Sequence, residues 1–540
     1  MTTYSGGVYD GTIVITSANN PVLVSDEEVE AGGGLENGAN GVQSSFSGAT
    51  LTLSGNYSFI EGAQSDSGSA SMPGGTGVDF TASGTINIDF GTTVFGGGGD
   101  YADVDGTLIA TPGGVGISMS GGGTLNFSDG ATIKGGSGVA GGGIGIDITG
   151  STYTKVVNSG ITTGGSTTLA TGGVGVAIDG HAYLHNEDGV ISGGYGVHGG
   201  TGLTLTGLSS TSLATVLNEY DIALGGGYGN GFQLDISSEI KGGYGTAGAA
   251  GGTGAIIGNF GTLTNAGLTV GGDGTESTRS GGTGVYTGGT GAEVDAGGTL
   301  INSGHLYGGR GRFGYYSGGT QIPGVGLYLN GGSVTNTGII SGGVDNGVTY
   351  KTVGAMGDSV KFGPTSGSTL ILEKGNGKYD VKTGGILQGD ITGFGVHDAI
   401  EISGALPGSI THSGSLTAGT YMVTTPQDGT LDFSGKYASG DHFSFTSIEI
   451  GTVASTKISL VACYRRGTRI RTHSGEAGIE TLRIGDEVMT RSGVTRPIRW
   501  IGRRRYSAAQ VANNHELLPI RICAGAMGQD LPHRDLWVSP

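Results

Sequence analysis

Few side chains in these 540 residues can do chemistry, and their neighbours decide which chemistry is open to each. There are two cysteines, Cys463 and Cys523. Cys463 stands in Ala462-Cys463-Tyr464-Arg465-Arg466-Gly467-Thr468-Arg469-Ile470. Arg465, Arg466 and Arg469 supply positive surroundings, which favour the nucleophilic thiolate. Cys523, in Ile522-Cys523-Ala524, reads instead as a small buried residue. His181 and His185 are four apart and share a face if their segment is a strand; two solvated imidazoles are expected there rather than a metal pair. Gly96 to Gly99 with Asp100, Asp103 and Asp105 could form a calcium loop, but the repeated nonapeptide of such loops is missing. The run Gly225 to Gly229 has no strand–loop–helix unit around it, so nucleotide binding is excluded. A polysaccharide-cleaving site needs acids clustered with a basic group, and the first 462 residues offer only Arg279, Arg310 and Arg312 among arginines. Arg310 and Arg312 lie in Gly308-Gly309-Arg310-Gly311-Arg312-Phe313-Gly314-Tyr315-Tyr316, a loop rich in contact-forming residues that reads as a decorative insertion. No metal and no cofactor is implied by any of these groups.

Composition changes abruptly at Cys463. The 13 basic residues after position 462 are all Arg and meet 7 acids, a charge of +6; the first 462 residues hold 13 basic and 37 acidic residues, a charge of −24. Of the 120 glycines, 112 precede Cys463. Such a shift marks a boundary between two folds. The acidic first part also argues against nucleic acid as a partner.

Gly467, Thr468 and Ile470 follow Cys463 closely, and Ile479, Leu482, Gly485, Asp486 and Val488 then form an "I-x-x-L-x-x-G-D-x-V" run. Together they resemble the start of a Hint (hedgehog/intein) domain. Arg496-Pro497-Ile498-Arg499-Trp500-Ile501-Gly502 and Asp535-Leu536-Trp537-Val538-Ser539-Pro540 resemble the bacterial branch of that superfamily. The resemblance spans residues 463–540.

It implies self-processing. The Cys463 thiolate attacks the carbonyl of Ala462 and converts the amide into a thioester, a bond that is easier to cleave. Cys463 is then the nucleophile, Ala462 the scissile carbonyl, and Thr468 and Asp486 the flanking site residues. The family also relies on a His that, in the bacterial branch, follows an S-P pair; this sequence stops at Ser539-Pro540. His515 and His533 do not stand in that context. The expectation is an incomplete Hint domain that does not process itself.

The rest of the chain must present this segment. From about 76 to 345 the sequence repeats with a period of about 30 residues, as between Gly116, Gly145 and Gly175. One motif is an alternating run: Val115-Gly116-Ile117-Ser118-Met119, Ile144-Gly145-Ile146-Asp147-Ile148, Val174-Gly175-Val176-Ala177-Ile178. Its period of two predicts strands, with Val115, Ile117, Ile144, Ile146, Val174 and Val176 inward. The other motif is an Asn followed by a hydrophobic residue and Gly-Gly, at Asn158, Asn186, Asn265, Asn302 and Asn336, with looser versions at Asn126 and Asn218. Recurring at one corner, these amides could bond to one another in a ladder.

The expected fold is all-β, a right-handed parallel β-helix followed by a partial Hint-type β fold. Residues 1–75 read as an N-terminal cap, in which Ser25 caps a helical turn over 25–30. Residues 76–345 form the repeat coils, 346–462 the final coils and a β cap, and 463–540 the N-terminal part of the Hint domain. The first 462 residues resemble the passenger β-helix of bacterial autotransporter-like adhesins. That implies an extracellular or cell-surface protein whose partner is a host or cell-surface polysaccharide or protein. The N-terminus has no basic region before Lys134 and no apolar run, so an export signal is expected elsewhere. No stretch has the 18 or more apolar residues of a membrane helix. A polysaccharide-active β-helix enzyme, or a structural fibre with an inactive Hint remnant, are the alternatives.

Overall fold

The computed structural model describes residues 1–31, 38–65, 73–104, 107–219, 238–245, 249–274, 285–311, 320–343, 356–365, 367–373, 387–415, 419–425, 429–435, 437, 442–461, 467–490, 494–499, 501, 520–522 and 536–538. Among them there is no α-helix; short strands and turns are broken only by single 3₁₀ turns at Pro407–Ser409 and Ile479–Thr481.

One coil shows the plan. Ile117–Met119 forms a first face, Gly123–Phe127 a second and Thr132–Lys134 a third, each pairing in parallel with the equivalent strand one coil on. Val, Ile and Leu at alternate positions make this work, because in a strand they all point to one side. On the third face twelve described strands stack from Val8–Asp10 to Leu387–Gln388. At about 4.8 Å per parallel neighbour the rod is roughly 50 Å long. The fold is a parallel β-helix. Its interior is a set of columns of buried side chains, such as Ile60, Val94 and Ile133 continuing to Ile191 and Ile240. Burying each such side chain contributes about 1.5–3 kcal/mol.

One column on the second face changes character along the rod. It runs through Val24, Leu53, Ile88 and Phe127, then through Asn158, Asn186, Asn218, Asn265, Asn302 and Asn336, then through Leu372 and Ile402. The six asparagines are buried, and each Nδ2 donates to the next Oδ1 at 2.7 or 2.8 Å. Both ends are closed by backbone: Gly160 N–H donates to Asn158 Oδ1, and Asn336 Nδ2 donates to the Gly338 carbonyl. The expected ladder therefore forms, and it includes Asn218. Asn126 lies outside it, on the outer surface, and donates to Asn87.

The fourth side of each coil is glycine. Gly136 donates to the Gly114 carbonyl at 2.7 Å, Gly143 to Gly136 at 2.8 Å and Gly165 to Gly143 at 2.7 Å; the chain of bonds runs from Gly75 to Gly357. The backbones approach so closely that a Cβ on Gly143 would lie 1.9 Å from the Gly114 oxygen. Only glycine fits, and its Cα–H points at the carbonyl of the coil below.

Two expectations change. Val115, Ile144 and Val174 are half-buried, while Gly116, Gly145 and Gly175 turn inward beside the buried Ile117, Ile146 and Val176. A corner falls at each of these glycines, so the inward phase starts at the glycine and not one residue before. Residues 25–30 form no helical turn: Val22–Ser25 and Glu28–Glu30 are strands, joined through Asp26 at φ 48°. Parallel pairing in fact begins at Thr2–Ser5, so residues 1–31 already wind as coils.

Beyond Ala399–Ile402 the pairing turns antiparallel, apart from one parallel contact of Phe433 with Ile391. Thr411–Ser415, Thr420–Thr425 and Gly429–Ser434 form a meander, and Val453–Val461 pairs with both His442–Ile450 and Ala399–Ile402. Phe394, Phe433 and Phe443 pack together with ring centroids 4.6–5.7 Å apart, and Phe394 meets Phe362 of the last first-face strands at 5.0 Å. A solenoid needs such a cap because its last coil has no neighbour to bury it.

Candidate functional site

The last described strand of the cap is Val453–Val461. Ala462 and Cys463, with Arg465 and Arg466, lie outside the described residues, as do Cys523, His515 and His533. The described structure resumes at Gly467, which has φ +91° and open space where a Cβ would stand. A left-handed turn of this kind is natural for glycine and strained for other residues.

The turn is held from the far side of a hairpin. Gly467 N–H donates to Glu480 Oε2 at 2.8 Å, and Ile479 N–H donates to the Thr468 carbonyl at 2.9 Å. Arg469–Thr472 and Gly475–Gly478 form the hairpin, closed by the Thr472 hydroxyl donating to the Gly475 carbonyl. Leu482 is the buried anchor after the 3₁₀ turn. Glu480 does not stand out in the sequence, because nothing in its spacing reveals that it reaches back to Gly467.

Asp486 closes the next turn. Its Oδ2 accepts the Arg483 N–H at 2.8 Å, while Gly485, at φ +98°, donates to the Ile498 carbonyl. An aspartate that accepts a nearby backbone N–H stabilises a tight turn. Glu487–Met489 then pairs with Thr495–Pro497, and Thr472 pairs with Val488, so Thr468 and Asp486 each stand just before one of the two antiparallel inner strands of a four-stranded sheet. Thr468 and Asp486 are bonded to different partners, Ile479 and Arg483. The arrangement fixes the chain from Gly467 onward through two glycine turns and two carboxylates.

The other candidate groups can also be placed. His181 and His185 do share the outer face of one strand, but His181 packs edge-on against Tyr153 at 5.1 Å and His185 Nε2 lies 2.6 Å from Glu219 Oε2. Among the described residues no group of three His, Cys, Asp or Glu could hold a metal ion. Asp100 N–H is bonded by the hydroxyls of Ser65 and Thr111; Asp105 lies outside the described residues. Arg310 N–H donates to Asp273 Oδ1 at 2.8 Å, whereas Arg279, Arg312 and the run from Gly225 to Gly229 lie outside the described residues. Among the described residues no helix is long and apolar enough to cross a membrane.

Residues 462–540 match the family model of the Hint domain. No curated protein matches the chain.

Proposed function

We propose, from the premise of a Hint domain joined to the capped end of a parallel β-helix, that this protein is an adhesin-like surface or secreted rod released by cleavage at Ala462–Cys463. The observation that carries the reading is the junction. The last described strand of the rod runs to Val461, and the Hint match begins at residue 462. A break at that peptide bond leaves every described strand pair of the rod intact.

The chemistry rests on Cys463. Its thiolate attacks the Ala462 carbonyl carbon, the C–N bond breaks, and the freed Cys463 amine takes up a proton, leaving a thioester. Water or an added thiol then releases residues 1–462. Gly467, Glu480 and Asp486 hold the chain that follows the nucleophile in a fixed path. The acidic rod suits an extracellular surface, where net charge keeps long molecules apart.

The test weighs the products of the full natural reading frame after incubation with dithiothreitol or hydroxylamine. A fragment of residues 1–462 is expected, and Cys463→Ala should abolish it. A fragment of the same mass from Cys463→Ala would remove Cys463 from the reaction.

A further inference from the structure

The second face of the rod carries a regular outer column. In register from coil to coil it reads Thr50, Thr85, Thr124, Lys155, Tyr183, Thr215, Thr262, Thr299, Ser333, Thr369. Small hydroxyl side chains fill every rung but two. Those two, Lys155 and Tyr183, stand on the two longest strands among the described residues, Ile146–Asn158 and Val176–Glu187. These strands also run unbroken through the corner that other coils turn, and the first carries an irregularity between Gly150 and Thr154. Tyr153 lies within that irregularity and is 48% exposed.

The groups around this break belong together. Tyr153 packs against the His181 ring at 5.1 Å, and the Tyr183 and His185 rings are 6.4 Å apart. The Tyr183 hydroxyl is pushed above its ordinary value by burial first, then by Glu219 and Tyr153. His185 reaches Glu219 Oε2 at 2.6 Å and Glu187 Oε2 at 4.0 Å. His181, Tyr183, His185 and Glu187 alternate outward along one strand, a row of about 20 Å. A periodic surface that abandons its own rule at one place, and there gathers rings with paired donors and acceptors, is built to contact something.

We infer that this row is a binding site for a neutral polysaccharide lying along the Val176–Glu187 strand. Tyrosine and imidazole rings offer flat faces to the apolar C–H side of a sugar ring. Lys155, His185 and the two glutamates offer hydrogen bonds to its hydroxyls. A polyanionic chain is disfavoured, because the protein carries −18 and two carboxylates line the row. The inference rests on the adhesin reading and names its ligand class.

Native gel electrophoresis of the full chain tests it, in gels cast with hydroxyethyl cellulose, xyloglucan, galactomannan or alginate. Retardation by at least one neutral glycan is expected, and none by alginate. Tyr153→Ala and Tyr183→Ala should each weaken the interaction roughly tenfold. Thr262→Ala, on the same outer column, should leave it unchanged. Retardation by none of the neutral glycans, by alginate alone, or undiminished in both tyrosine variants overturns the inference. Attachment of the rod to whole cells that survives Tyr183→Ala would overturn this site and leave the adhesin reading standing.

Discussion

The side-chain amide of Asn218 donates to Oδ1 of Asn265 at 2.7 Å, across 47 residues of sequence. The same Asn218 accepts from Asn186 at 2.7 Å, so it is both donor and acceptor in a buried line. Asn218→Ala removes one acceptor from the Asn186 amide, which keeps the Gly189 carbonyl, and one donor from Asn265 Oδ1, which keeps the Thr269 hydroxyl. Each lost buried bond costs about 0.5–1.5 kcal/mol, so a loss of about 1–3 kcal/mol is expected in urea unfolding. Asn218→Leu should not recover it, although the same column accepts Leu372. A variant as stable as the parent would show that the ladder is incidental to stability.

This ladder is legible in the sequence because an Asn at one corner of a coil must return once per coil, and Asn158 to Asn336 do so. The N-terminal coils are hidden for the same reason in reverse. Their column holds Val24 and Leu53, so no polar marker recurs and residues 1–75 read as a cap. The inward phase at Val115, Ile144 and Val174 is hidden too, because alternation cannot show where a strand begins when a glycine forms the corner. At the Hint segment, the glycine turns at 467 and 485 can be read from their types, but the reach of Glu480 back to Gly467 depends on the hairpin between them.

The glycine side makes a sharp prediction, because neighbouring glycines differ. A Cβ at Gly143 would sit 1.9 Å from the Gly114 oxygen, whereas at Gly141 the nearest atom is the Thr171 oxygen at 3.7 Å. Gly143→Ala should therefore destabilise the rod by about 3 kcal/mol or more, since backbone on both sides has no room to move. Gly141→Ala should be close to neutral. Thermal unfolding of the pair checks this, and equal effects would contradict the close backbone packing.

Asp147 ties stability to pH. Burial, and then the neighbouring Asp179, hold its carboxyl above the ordinary aspartate value. The unfolded chain ionises this group at lower pH than the rod does. The penalty therefore grows as pH rises from the ordinary aspartate value to the raised one, is full above it, and is lost again as pH falls back through that window. Asp147→Asn should be more stable than the parent at pH 7, and the two should converge below the ordinary aspartate range. Urea unfolding of both at neutral and at acid pH measures it; a gain that persists unchanged in acid would rule out ionisation as the cause.

The final prediction concerns Glu480 and separates a positioning role from a chemical one. Gly467 needs its left-handed turn to send the chain from Cys463 into the Arg469–Thr472 strand, and the Glu480 carboxylate is the acceptor that pins its N–H. The bond lies at the surface, so a neutral acceptor can replace much of it. In the full natural reading frame, Glu480→Ala frees the turn and should slow release of residues 1–462 by about tenfold, because small misplacements of the chain that carries a nucleophile are costly. Glu480→Gln, whose side-chain oxygen can accept the same N–H, should recover most of the rate. If the glutamate instead moved a proton in the reaction, the glutamine variant would be as slow as the alanine variant, and the pH dependence of release would change with it. Rates of fragment appearance for the two variants, measured across pH, distinguish these outcomes, and wild-type rates in both would show that the Gly467 turn holds without Glu480.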